Sequence, residues 1–157
     1  MAVDVYLMQH GEAAPADVDP QRPLTQAGRR SVGAVSAHAA ACGVHIDRIV
    51  HSGKLRAEQT AGILAAALGC ATVDQVDGLS PNAAVQEAAD ALVDPGAAGS
   101  LAIVGHLPFL DRFAALLVAG DCTAQVVAFR NGGLVKLTPA EWGYAVAWAI
   151  TPEVTGG

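Results

Sequence analysis

The chain has 157 residues, of which 52% are hydrophobic and 15% charged. That length suits one ordinary domain, 1–157, able to bury a sizeable core without staples, and the composition excludes a disordered chain. Nine Lys and Arg against fifteen Asp and Glu leave a net charge of -6, which makes the chain a poor candidate for binding nucleic acid or an anionic membrane through bulk charge.

Seven of the nine basic residues are Arg, and only Lys54 and Lys136 are Lys, so an anion site has to be built locally from a few arginines. The three cysteines, Cys42, Cys70 and Cys122, are widely spaced and form no CxxC pair. They read as small buried hydrophobes of a reducing compartment. The N-terminus lacks a basic segment and carries Asp4 within its first apolar stretch, and no apolar run reaches the ~18 residues of a membrane span. The expectation is a soluble, cytoplasmic, single-domain protein.

In chain order, strand-like and helix-like segments alternate. Val3–Gln9 reads as a strand ending abruptly at His10-Gly11, and the Pro- and Asp-rich stretch Ala13–Pro23 as a loop. Thr25 can cap a helix with Ala27, Val32, Val35 and Ala39 on one face, stopped by Gly43. A second strand, Ile46–His51, precedes a turn at Ser52-Gly53 and a helix, Leu55–Leu68, with Ile63, Leu64, Ala67 and Leu68 turned inward. Thr72–Val76 reads as a third strand. Ser80-Pro81 reads as a cap and first helical position, opening a helix that runs to about Leu92. After the Pro/Gly/Ala loop Asp94–Ser100 comes the strand Leu101–Gly105, then His106. Pro108 opens a helix with Phe109, Phe113, Leu116 and Leu117 on a stripe. Past Gly120, Ala124–Phe129, Gly133–Leu137 and Tyr144–Ile150 read as consecutive strands. The alternation predicts an α/β fold: a three-layer sandwich with a mainly parallel sheet, helices on both faces and an antiparallel C-terminal edge.

Ligands of open α/β sheets bind beyond the carboxyl ends of the strands. His10-Gly11-Glu12 follows the first strand, Ser52, Lys54 and Arg56 the second, Ser80 and Asn82 the third, and His106 the fourth. Two histidines and an arginine thus converge on one edge. Such a set suits an anion site with a nucleophile. A neutral imidazole can attack phosphorus, a second imidazole can neutralise phosphoryl oxygens, and the Arg56 guanidinium offers a planar fork to phosphate. Gly11 allows close backbone approach, and the helix N-termini at Arg56 and Pro108 add positive dipole ends.

The run Tyr6-Leu7-Met8-Gln9-His10-Gly11-Glu12-Ala13 resembles the RHG motif of the histidine phosphatase (phosphoglycerate mutase-like) superfamily. Arg22-Pro23-Leu24-Thr25-Gln26-Ala27-Gly28, Ser52-Gly53-Lys54-Leu55-Arg56-Ala57-Glu58-Gln59-Thr60-Ala61 and Val104-Gly105-His106-Leu107-Pro108 are similar to its later motifs, in order, across residues 3–150. Order, spacing and shortness resemble the SixA-type phosphohistidine phosphatases most. The resemblance implies a metal-independent, cofactor-free phosphatase. In it His10 is the nucleophile that becomes phosphorylated, Arg56 binds the phosphoryl group, and His106 stabilises that group from the other side. Gln9, Gly11 and Arg22 are further phosphate-contact candidates. The implied partner is a phosphohistidine-bearing protein, such as a phosphocarrier or histidine-kinase-type domain.

Two departures bear on chemistry. Gln9 stands where the motif has Arg, and losing a charged contact costs about 1.5–3 kcal/mol, or roughly one to two orders of magnitude in rate if felt only in the transition state. The stretch Gly78-Leu79-Ser80-Pro81-Asn82 lacks the general-acid Glu that many members place there; Asp17 and Asp19 are the substitutes at hand. A missing acid favours an imidazole leaving group over an alkoxide. No long insertion roofs the pocket, which suits a phosphorylated side chain on another protein. Two alternatives stay open: a low-turnover phosphohistidine-binding or phosphotransfer module, and a small-metabolite phosphatase. His38, His45 and His51 match no motif and read as structural or surface residues. Glu12 reads as a loop-ordering residue, Lys54 as exposed, Arg112 and Arg130 as surface charges, and Trp142 and Trp148 as packing of the terminal strands.

Overall fold

The computed structural model describes residues 3–156; Met1, Ala2 and Gly157 of the expected domain lie outside that range. The strands are β1 (Val5–Gln9), β2 (Arg48–His51), β3 (Val73–Gln75), β4 (Leu101–Gly105), β5 (Leu134–Pro139) and β6 (Tyr144–Ile150). The helices are α1 (Gln26–Ala41), α2 (Leu55–Leu68), α3 (Val85–Leu92), α4 (Phe109–Ala119) and a single turn, α5 (Pro152–Thr155). One sheet of order β3-β2-β4-β1-β5-β6 results. Its first four strands are parallel, and β5 and β6 add the expected antiparallel edge.

Successive strand residues point to opposite faces, so the central strands feed two cores. Val5, Leu7, Leu101 and Ile103 pack with Val85, Phe109 and Phe113 beneath α3 and α4. Tyr6, Met8, Ala102 and Val104 pack with Val32, Val35, Ala61 and Leu64 beneath α1 and α2. These are the three layers expected. The near-continuous apolar runs of β1 and β4 follow from burial on both faces. No helix among the described residues is long and apolar enough to cross a membrane.

Local differences have local causes. Thr25 caps α1 by accepting from the Gly28 N–H at 2.9 Å, as expected, but Ala27 is exposed and Gly28 takes the inward place. On α2 the buried face is Ala57, Thr60, Ala61, Leu64 and Ala65, while Ala67 is exposed. Ser80-Pro81 forms a turn closed by the Ala83 N–H on the Ser80 carbonyl, and α3 begins only at Val85. Leu79, already 1% exposed, anchors the chain there, so the helix covers only the residues that reach the core. Ala124–Phe129 is not a strand, because β5 and β6 occupy that side of the sheet. Val126, Val127 and Phe129 instead cover the α3/α4 core as irregular chain. Trp148 packs on Tyr6, with ring centroids 6.0 Å apart; Trp142, expected to pack likewise, is 83% exposed. Cys42 is exposed, against expectation, at the end of α1.

Candidate active site

The β1–β4 register pairs Gln9 with Gly105, so His10 and His106 are the next residues on neighbouring parallel strands. The His10 N–H still donates to the Gly105 carbonyl at 3.0 Å. Their ring centroids lie 5.1 Å apart with the planes inclined by 54°. Nδ1 of His10 lies 2.7 Å from the Gly11 carbonyl oxygen. A carbonyl can only accept, so Nδ1 carries the proton and the Nε2 lone pair is left available.

α2 supplies the rest of the floor. Arg56 sits in its first turn. Four residues on, the Thr60 hydroxyl donates to the Arg56 carbonyl at 2.8 Å and accepts from the buried Gly11 N–H at 3.1 Å. The Gln59 side-chain amide oxygen, Oε1, accepts from the Leu24 N–H at 2.8 Å. The motif around Arg56 therefore also ties down both ends of the loop between β1 and α1. That loop is closed by the Ala14 N–H on the Pro23 carbonyl and the Thr25 N–H on the Glu12 carbonyl. Glu12 orders it as expected, its carboxylate accepting from the Thr25 hydroxyl at 2.8 Å. Arg22 adopts a left-handed φ of 51°, and its Nε donates to the Ala14 carbonyl. On the opposite side, the Asn131 amide and the Gly132 N–H both donate to the His10 carbonyl, at 3.0 and 3.2 Å.

The electrostatics are one-sided. Burial lowers the pKa of His10, the hydrogen bond to the Gly11 carbonyl opposes it in part, and the Arg56 and Arg22 charges add to the lowering. His106 is 2% exposed. Burial, reinforced by His10, Arg56, Lys54 and Arg22, pushes it down to about 3. Arg56 is itself lowered by burial and by the facing Arg22. Every charged group acting on the two imidazoles is a cation, in a chain of net charge -6. Neither Asp17 nor Asp19 is among them; Asp19 instead accepts from the Gln21 N–H and shapes the loop. Both histidines are thus neutral at pH 7, within a cluster of cations that suits an anion.

Unpaired polar atoms gather in the same place. Among the described residues, four buried side-chain atoms find no partner in the chain. Three belong to the site: Gln9 Oε1, Arg56 Nε and His106 Nδ1. Buried polar groups are ordinarily satisfied, so their clustering marks a surface built for a polar ligand. α2 and α4 also begin without a capping side chain, leaving positive helix ends on this edge. A cavity of about 470 Å³ lined by Tyr6, His38, His45, Lys136 and Trp148 opens toward the other end of the sheet. Its polar side chains already have partners, Lys136 with Asp4 at 3.3 Å and His45 Nε2 with Asp47 at 2.9 Å. Of the remaining histidines, His51 is buried and accepts from the Gly53 N–H, a structural role.

The structure thus brings together His10, His106, Arg56, Gly11 and Arg22. Gln9 lies at the strand end with a buried, unpaired amide oxygen. Ser52, Gln59, Thr60 and Asn131 received no role from the sequence. The first three stand inside a quoted motif, whereas Asn131 lies outside all of them.

The model of the histidine phosphatase superfamily (branch 1) matches residues 5–81. An uncharacterised protein of Picosynechococcus sp. (strain PCC 7002) is 33% identical over 144 residues, covering 86% of this chain and 84% of that one. Among solved structures, the protein histidine phosphatase SixA complexed with tungstate is similar at a TM-score of 0.84 and 27% identity, over 97% of this chain and 99% of that chain. A SixA of Nakamurella multipartitia, described as a candidate phosphohistidine phosphatase, gives 0.76 and 26%, over 97% of each chain.

Proposed function

The chain belongs to the histidine phosphatase superfamily, as a SixA-type member and a phosphatase-class hydrolase, and on that footing we propose that it removes phosphate from phosphohistidine on a partner protein through a phospho-His10 intermediate, without a metal. The observation that carries the reading is the pairing of a neutral His10, its Nδ1–H held by the Gly11 carbonyl, with a second imidazole 5.1 Å away inside a purely cationic cluster.

In the first step the His10 Nε2 lone pair bonds to phosphorus and the phosphorus–nitrogen bond to the substrate imidazole breaks. With its other nitrogen already protonated, that imidazole departs as a neutral ring, needing no strong acid. Arg56 and Arg22 neutralise the equatorial oxygens, the Gly11 backbone lets them approach, and His106 meets the charge from the far side. Water then attacks phosphorus and the Nε2–phosphorus bond breaks. The electron pair returns to the ring, and the water's proton leaves with inorganic phosphate. The lack of any carboxylate among the charges acting on the imidazoles supports a phosphoramidate substrate over a phosphate ester. Tungstate bound to the similar SixA supports an oxyanion pocket.

The test is phosphate release from a histidine-phosphorylated phosphocarrier domain, with chelator present, by wild type and His10→Ala. Release that ignores the chelator and disappears with His10 supports the reading. High turnover of a sugar phosphate or nucleotide in its place would overturn the substrate class in favour of a small-metabolite phosphatase. Gln9 favours one second reading, a module that binds or passes on the phosphoryl group with little turnover; stoichiometric phospho-His10 without phosphate release is its mark.

A further inference from the structure

His106 offers two ring nitrogens, and the structure distinguishes them. Nε2 lies 2.6 Å from the Ser52 hydroxyl oxygen. Nδ1 is buried and has no partner in the chain. The Ser52 oxygen also receives the Lys54 N–H at 3.4 Å, which engages one of its two lone pairs and leaves its own proton free to be given to Nε2. Ser52 directly follows the last residue of β2 and stands three residues before α2, and β2 pairs with β4, which fixes its distance to the end of β4. The ring of His106 is itself held: the residue is 2% exposed, and its carbonyl accepts the Leu110 N–H of the first turn of α4.

We infer that Ser52 is a positioning residue, whose hydroxyl donates to Nε2 of His106 and thereby keeps the ring proton on Nδ1, making Nδ1–H the donor that meets the phosphoryl group. The inference rests on the phosphatase reading for the identity of the bound group, but not for the proton's location. The chemistry is complementary. The opposite arrangement, with Nε2–H given to Ser52, would leave a lone pair on Nδ1 and repel an anion. The groups that face His106 are His10 just past β1, Ser52 and Lys54 from the turn before α2, Arg56 from the first turn of α2, and Arg22 from the loop. Ser52 is the hydroxyl that bonds the ring. The assignment also explains why a buried nitrogen is left unpaired: an oxyanion is its partner. When phosphate charge draws a proton onto the ring, the same hydroxyl turns and accepts from Nε2–H, so both protonation states keep the ring in place.

The experiment reads ring-nitrogen NMR shifts of His106 in the whole protein, assigned by their loss in His106→Asn, for wild type, Ser52→Ala and Ser52→Thr. In wild type Nδ1 is protonated and Nε2 is not. Ser52→Ala moves proton to Nε2, Ser52→Thr restores the wild-type pattern, and inorganic phosphate shifts the Nδ1–H signal of wild type. Kinetically, Ser52→Ala lowers kcat about tenfold with little change in KM, the scale of one neutral hydrogen bond lost in the transition state, and Ser52→Thr recovers most of it. A wild-type ring protonated on Nε2, or a tautomer indifferent to Ser52→Ala, overturns the inference. So does a kcat unaffected by Ser52→Ala. If Ser52→Ala does not fold, the wild-type tautomer and the Ser52→Thr variant decide. Failure of wild type to act on phosphohistidine would count against the substrate reading alone, since the tautomer is measured without substrate.

Discussion

Acidification should destabilise this protein through His106. The unfolded chain binds a proton on that imidazole near pH 6.5, whereas the folded chain resists until about 3, because the ring is buried among His10, Arg56, Lys54 and Arg22. A folded pKa below the unfolded one means the unfolded state takes up the proton first. Stability is therefore full above about pH 6.5 and declines as pH falls toward 3. From pH 7 to pH 5 the unfolded ring gains about three quarters of a proton and the folded ring almost none, which integrates to about 2 kcal/mol from this residue alone. His10 shifts in the same direction and adds to the loss. Asp47 and Asp121 are lowered by hydrogen bonds from Ser100 and Thr123, so their contributions are lost only below the ordinary carboxylate range and fall outside this window. Urea unfolding at pH 7 and pH 5 measures the effect, with wild type compared against His106→Asn. The asparagine variant should lose about 2 kcal/mol less than wild type over that interval. Phosphate at concentrations that fill the site should also flatten the wild-type loss, because an anion favours the charged ring. Equal losses in the two proteins would refute the assignment of a buried, neutral His106.

Other substitutions separate the roles of neighbouring groups. Gln9→Arg, which fills a position now carrying an unpaired amide oxygen, should raise the rate of phosphate release by roughly one to two orders of magnitude; a robust wild type with no gain would mean that Arg56 and Arg22 already suffice. Thr60→Val keeps the shape of α2 but strips the Gly11 N–H of its buried acceptor, so chemical denaturation should show a loss of about 1–3 kcal/mol, with kcat falling as the segment after His10 loosens. In Gly28→Ala the new methyl would run into the Glu12 carbonyl; a loss of about 1–3 kcal/mol from overpacking is expected, together with a displaced site loop, and unchanged stability would show that the loop yields freely.

Much of this was legible in the sequence because the relevant physics is local. The apolar runs at 5–9 and 101–105, the cap at Thr25 and the glycine stops mark strand and helix ends through short-range sterics and hydrogen bonding. The rule that ligands gather at the carboxyl ends of parallel strands then puts His10, Arg56 and His106 on one edge. Tertiary structure decided what depends on partners distant in sequence. Ala124–Phe129 has strand-like composition, but β5 and β6 extend that side of the sheet and its Val126, Val127 and Phe129 side chains cover the core instead. Ser80-Pro81 has the chemistry of a helix start, yet the burial of Leu79 and Val85 moved that start four residues on. The two histidines, 96 positions apart in sequence, meet because β1 and β4 pair in a register that no local signal encodes. Their neutrality follows from burial and from charges brought in by α2 and the loop, and Ser52 acquires its place beside His106 by the same convergence. A sequence specifies residue types and local geometry; which hydroxyl faces which nitrogen, and which imidazole is desolvated, are set only when the layers close.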